Sequence, residues 1–297
     1  MTFNSINHQN PRLYQHYRKF LQFEWLVLVT GLLAIIVPTI IIQAKLGWSS
    51  TTGAHGPIVF ATGLWLIWHE RHLAKNGKPA NLIAVFCVLL AAAPLYYIGR
   101  VTTILLLEGL AAFVICIAVA AMHLGWRTVA RFWFPISYLL FILSPPENWV
   151  FVATRPIKAL LSETAVDFMA ALGANIAGTA NVILINGYQL QVAAACSGVN
   201  SIIGITAIGS FYIYLRRGSQ PGYAALMLAL LIPVAILTNF IRVIVLIIVT
   251  QQSGEGVAFD MAHDLGGVLL FMVALVLLIT LDGILFPIYR YWGARRG

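Results

Sequence analysis

The sequence predicts an all-α integral membrane bundle of about eight transmembrane helices, with a small extracytoplasmic amphipathic helix and a β-hairpin set into it. Three observations carry that reading. Of the 297 residues, 60% are hydrophobic and only 9% are Asp, Glu, Lys or Arg, against roughly 25% charged in a soluble domain. The mean hydropathy is +0.88, too apolar for a water-facing surface. Apolar runs approaching the roughly 20 residues that cross a bilayer recur along the chain. Together these exclude a cytosolic enzyme, a disordered protein and a nucleic-acid-binding domain, despite a net charge of +8.

The stretch through Phe23 is polar and aromatic, and the first apolar run lacks a small-residue cleavage site, so no cleaved signal peptide is expected. Five runs read as spans: Trp25–Ile42, Ala80–Gly99, Val101–Met122, Tyr223–Thr250 and Leu265–Ile288. Three shorter runs, Pro57–Trp68, Phe132–Leu143 and Ser201–Leu215, read as short, buried or re-entrant helices. Counting all eight puts both termini on one side. Basic residues then decide which side, because cytoplasmic loops carry the excess of Lys and Arg. With the N-terminus inside, the inner segments hold 13: Arg12, Arg18, Lys19, Arg71, Lys75, Lys78, Arg127, Arg131, Arg216, Arg217, Arg290, Arg295 and Arg296. The outer segments hold 4: Lys45, Arg100, Arg155 and Lys158. The expectation is a single polytopic domain over 1–297, in a bacterial cytoplasmic membrane, with both termini cytoplasmic.

The longest interruption, Ser144–Ala195, is an extracytoplasmic insertion in this topology. It opens on Pro145-Pro146, a helix stop. From Pro156 to Leu172, Ile157, Leu160, Leu161, Phe168 and Leu172 form an apolar stripe that Lys158, Glu163 and Asp167 avoid. That pattern predicts an amphipathic helix on the membrane surface or on the bundle. Val182–Ile185 and Tyr188–Val192 flank Asn186-Gly187, a strong hairpin signal.

Chemistry-bearing residues gather on the outer side. Cys196, in Ala194-Ala195-Cys196-Ser197-Gly198, precedes the run that starts near Ser201. Unpaired amides and the positive dipole at a helix N-terminus favour the thiolate, which is the nucleophile. The bland alternative is a structural thiol in a small-residue turn. Cys87 and Cys116 sit in apolar runs and read as small hydrophobes. Arg242 lies inside a span, about 12 Å below Thr250 at 1.5 Å per residue. An intramembrane Arg is costly and normally faces the bundle interior. Asn239 shares its face. His263 begins the last span, and Asp264 follows it. A Cys nucleophile, a His acid/base and a cationic oxyanion donor suffice for acyl transfer. Glu108 is buried in an apolar run, eight residues after Arg100. It reads as a hydrogen-bonded carboxylate or, alternatively, as the ion site of a transporter. His69-Glu70-Arg71-His72 lacks the order of a metal-binding helix motif, and no metal or cofactor is expected.

The set Ala195-Cys196-Ser197-Gly198, Asn239-Phe240-Ile241-Arg242 and His263-Asp264-Leu265-Gly266-Gly267 resembles the exosortase/archaeosortase family of membrane cysteine transpeptidases. The resemblance extends over most of the chain. It implies Cys196, Arg242 and His263 as catalytic residues, with Ser197, Asn239 and Asp264 in support. Where many members have Leu-Arg after Cys-Ser-Gly, this chain has Val199-Asn200. It also implies substrates: surface proteins bearing a C-terminal signal of a Pro-Glu-Pro-like motif, a transmembrane helix and a basic tail. These would be cut near the motif and transferred to an acceptor. The implied surroundings are membrane lipids and no nucleic acid. The rival readings are a transporter or permease and a non-catalytic export scaffold.

Overall fold

The computed structural model describes residues 11–50, 53–75, 77–178, 182–185, 188–191, 201–253 and 266–294. Ten α-helices and three short strands run through them. In chain order they are α1 (Pro11–Ile42), α2 (Gly56–His69), α3 (Leu82–Val101), α4 (Leu105–Leu124), α5 (Trp126–Arg131), α6 (Trp133–Leu139) and α7 (Glu147–Ala171). β1 (Ile176–Gly178), β2 (Val182–Ile185) and β3 (Tyr188–Gln191) follow, then α8 (Ser201–Arg217), α9 (Pro221–Ser253) and α10 (Gly266–Ala294). Five helices are long and apolar enough to cross a membrane, or six if α6 and α7, bent by 95° at the Leu143–Pro146 break, count as one. They coincide with the five long runs of the sequence. The three short runs are also helical, as α2, α6 and α8, but none reaches the length of a full span. Much of the apolar surface is outward: Ile83, Phe86 and Leu90 on α3, and Met272, Val276 and Ile279 on α10, are exposed. Water would not tolerate such faces, whereas lipid does, and helices satisfy their backbone internally as hydrocarbon demands. The protein is a multi-pass membrane protein.

The contacts group into two compact units, 1–45 with 76–130 and 46–75 with 131–297. In the first, α4 packs on α3 and α1. Asn81 caps α3 by accepting from the Ile83 amide at 3.0 Å. Glu108, at 2% exposure, accepts from Arg100 Nη1 at 2.9 Å and from Thr39 Oγ1 at 3.0 Å. Of the two readings of Glu108, this favours the hydrogen-bonded carboxylate: its charge is matched by an arginine and bridges α1, α3 and α4.

The second unit holds the insertion and the last three helices. α7 begins nine residues before the amphipathic stretch expected from the sequence and carries Pro156 in its interior. A proline deletes one amide donor, and the helix formers on either side outweigh that local loss. The expected stripe also divides. Leu161, Ala165 and Met169 are buried, while Leu160, Phe168 and Leu172 point outward. α7 therefore has two apolar faces, one packed on protein and one outward. It ends in a Schellman motif, with Ala174 N–H donating to Met169 O and Gly173 N–H to Ala170 O. The Gly173 φ of 86° is a left-handed value that glycine adopts without a Cβ clash.

That turn delivers the chain to an antiparallel sheet in the order β1-β2-β3. β2 and β3 pair with Ile185 opposite Tyr188, which leaves two residues to connect them, as the Asn186-Gly187 signal required. Asn186 and Gly187 themselves lie outside the described residues. The sequence reading did not contain β1, whose Ile176-Ala177-Gly178 is too short to alternate visibly. Ile183 and Ile185 point inward and Leu184 outward, the period-two pattern of a half-buried strand. The inward pair packs with Leu161, Ala165 and Met169 of α7 and with Val243, Leu246 and Ile247 of α9. The sheet thus rests on the segment of α9 that immediately follows Arg242.

Candidate active site

α8, α9 and α10 run side by side in alternating directions. Ala274 of α10 shares a cluster with Ala235 of α9 and Ile205 of α8. Leu278 clusters with Leu231 and Ile213 further along, and Asp282 meets Tyr223 beyond that. The Ser201 end of α8 and the Gly266 end of α10 therefore face the same way as the Ser253 end of α9, which runs on past both: Ser253 is about 27 Å beyond the Ala235 level at 1.5 Å per residue. Each borders a segment that holds a candidate residue. Cys196 and Ser197 precede Ser201, and His263 and Asp264 precede Gly266; all four lie outside the described residues.

Arg242 and Asn239 are described, and both are buried, at 7% and 2% exposure. They belong to one stripe of α9: Leu231, Ala235, Asn239, Arg242, Leu246 and Thr250 recur at three- and four-residue steps and are all buried. The expectation that Arg242 faces the protein interior is met. α9 extends to Ser253, three residues past the expected end of the span. Arg242 is about 32 Å from Pro221 along the helix axis at 1.5 Å per residue. That is about the full thickness of a bilayer core. An α9 entering the hydrocarbon near Pro221 carries Arg242 to the opposite boundary, not to the midplane, where a guanidinium is less costly.

Ile202, in the first turn of α8, packs against both the Val243–Leu246–Ile247 cluster and the Ala235–Ala274 cluster. Asn239 and Arg242 occupy the intervening level of α9. The first turn after the Cys196 motif is thus packed beside the Arg242 stretch, and β3, which leads into that motif, contacts α9 as well.

The buried threonines and the buried asparagine of α9 differ in their bonding. Thr238 and Thr250 return their hydroxyls to Val234 O and Leu246 O of their own helix, both at 2.8 Å. Asn239 does not: neither Oδ1 nor Nδ2 of its amide has a hydrogen-bond partner among the described residues. Asn239 shares the face of Arg242, as expected, and is packed into the stripe with its amide open among the described residues.

Two polar centres of this unit were missed from sequence. The first is His55, at the start of α2. Its Nε2 lies 3.0 Å from Phe141 O, and its ring abuts Gly204, one turn into α8. Donation from Nε2 to the carbonyl leaves Nδ1 as the acceptor of a neutral imidazole. Burial lowers its pKa, against the Phe141 carbonyl, which raises it. A lone loop histidine carries no sequence pattern, so nothing local announced it.

The second is Asp282, at 1% exposure in α10. Like Glu108, it is an acidic residue inside an apolar run. Arg217 donates to Asp282 through Nε at 2.9 Å and Nη2 at 3.0 Å, Arg216 through Nε at 3.2 Å, Tyr212 at 2.9 Å and Tyr223 at 3.0 Å. The Arg217 guanidinium also stacks on Phe286, 3.4 Å from the ring centroid. An aspartate in an apolar run was signal enough to seek a cationic partner.

The family model for transmembrane exosortases matches residues 47–280. The chain belongs to the transmembrane exosortase family. The match takes in the second unit's α2, the insertion, the Cys196 motif, Arg242 and His263. No curated protein and no solved structure matches the chain.

Proposed function

We propose that this exosortase-family protein is a membrane-embedded cysteine transpeptidase that cuts C-terminal sorting signals from surface proteins. The observation that carries the reading is the buried Arg242 beside the first turn of α8, which the Cys196 motif enters, with the Gly266 end of α10, which the His263 motif enters, facing the same way.

The chemistry assigns one role to each residue. The Cys196 thiolate attacks the scissile carbonyl carbon, and the developing oxyanion accepts hydrogen bonds from the Arg242 guanidinium, whose planar fork suits it. His263 protonates the leaving amine as the C–N bond breaks, which leaves a thioester on Cys196. The same imidazole then takes the proton of an acceptor nucleophile, which attacks the thioester and frees the thiolate. Water as acceptor would give hydrolysis instead. Ser197 and Asp264 support from the two flanking motifs.

The charge asymmetry of the loops supports eight spans, cytoplasmic termini and an extracytoplasmic site in a bacterial inner membrane. The substrates in this reading are surface proteins with a Pro-Glu-Pro-like motif, a transmembrane helix and a basic tail. Co-expression with such a protein tests it. Intact mass should show a shortened product with the wild type and the full-length precursor with Cys196→Ala; equal cleavage by both would reject covalent catalysis.

A further inference from the structure

We propose that Asn239 binds the substrate backbone, its side-chain amide pairing with one peptide group next to the scissile bond on its membrane side. This rests on the proposed reading of Arg242 as the residue at the scissile carbonyl.

Asn239 is 2% exposed, and both polar atoms of its amide lack partners among the described residues. Natural proteins leave few buried polar groups unsatisfied, and those they leave need a cause such as a ligand or a catalytic role. Packing alone is a poor cause here. The stripe positions on the Pro221 side of Asn239, Leu231 and Ala235, are apolar, and an apolar side chain at 239 would continue them without an open amide. The two buried threonines of α9 show how a polar side chain is usually satisfied in this helix, by a carbonyl one turn back.

The chemistry of the side chain selects its partner. A carboxamide offers one carbonyl acceptor and an N–H donor, the same pair a peptide group presents in reverse. It carries no charge, so an anion would be better served by Arg242. Position selects which peptide group. Asn239 is three residues from Arg242 on the same face, about 4.5 Å along the axis at 1.5 Å per residue. An extended substrate advances about 3.3 Å per residue. With its scissile carbonyl at Arg242, the next peptide group towards the Pro221 end comes level with Asn239. A sorting signal whose transmembrane helix follows the cut threads its leaving-group side in that direction.

The test uses the full chain in detergent and a synthetic peptide spanning a Pro-Glu-Pro-type sorting signal and the start of its helix. In a Cys196→Ala background the peptide is held uncut, and its affinity is compared for Asn239, Asn239→Leu and Asn239→Ala. Both substitutions should weaken peptide binding at least tenfold. Asn239→Leu should also melt no lower than its parent, because it removes an unsatisfied amide while keeping the volume. Binding within twofold of the parent in either variant overturns the proposal. So does a large fall in melting temperature for both, which would mean the amide serves the fold. Processing by the otherwise wild-type enzyme is measured in parallel. If no Cys196-dependent cleavage is seen, the transpeptidase reading fails, and this assignment with it. If cleavage depends on Cys196 but not on Asn239, only this assignment fails.

Discussion

The two ends of α9 treat buried polarity in opposite ways. Near Pro221, Tyr223 joins a cluster in which the Asp282 carboxylate accepts from two arginines and two tyrosines. About 24 Å further along the same helix at 1.5 Å per residue, Asn239 presents an amide to which none of the described residues bonds. The first centre has both carboxylate oxygens occupied and ties α8, α9 and α10 together. The second sits beside the first turn of α8, which the Cys196 motif enters. A closed polar network belongs to the fold, whereas an open one beside a buried arginine has capacity left for a substrate. The Arg100–Glu108–Thr39 bridge of the first unit is of the closed kind.

If that contrast is right, the closed centre should fail as stability and the open one as turnover. The largest effect is expected at Asp282. Asp282→Ala leaves the Arg217 guanidinium, only 13% exposed, without its carboxylate. Breaking a buried pair by removing one partner costs about 3–5 kcal/mol. Denaturation in detergent should show that loss, and a loss below about 1 kcal/mol would mean the cluster is weakly coupled to the fold.

Arg242→Lys should act at the other end. It keeps the charge but loses the fork, so processing of a signal-bearing protein should fall about 100- to 1,000-fold, the cost of one oxyanion donor. The melting temperature should stay near that of the wild type. Processing at the wild-type rate would make Arg242 a charge-balancing residue.

Glu108→Gln should be milder still. The neutral amide keeps an acceptor for Thr39 and Arg100, and the loss of a charge-assisted bond is worth about 1–3 kcal/mol. Arg100 is partly open to its surroundings, which places the expected value at the low end. Cleavage should be unaffected. A loss of cleavage without loss of stability would break the division between closed and open centres.

The smallest effect is a pH dependence at His55. Burial holds its pKa below the ordinary 6.5, so the unfolded chain takes up the proton first. Its contribution is complete above about pH 6.5 and is lost as the pH falls from there through the folded-state pKa. Melting curves across that window should show the decline, and His55→Gln should flatten it. An unchanged slope would mean that protonation of His55 is not coupled to folding.

Much of the architecture was present in one dimension. Bilayer crossing demands long apolar helices, and nothing else in the chain resembles them, so five spans follow from composition and run length alone. The β2–β3 turn was equally local, since Asn-Gly between two apolar runs favours one tight connection. The Cys196, Arg242 and His263 motifs were enough to indicate the family, because they rest on residue type and order.

What tertiary structure decided was which polar residues are satisfied. Asp282, His55 and Asn239 are each a single polar side chain among apolar neighbours, and a sequence lists them alike. Asp282 is closed because α8 brings Arg216, Arg217 and Tyr212 to it across 65 to 70 residues of chain. His55 is held by a carbonyl 86 residues away. Asn239 is open because no such partner arrives among the described residues. The length of α9 and the division of the α7 stripe were decided in the same way, by packing against elements distant in sequence. Periodicity reports that a helix has an apolar face. Only the assembled neighbours determine which part of that face meets protein, and which buried polar atom is left with a bond to make.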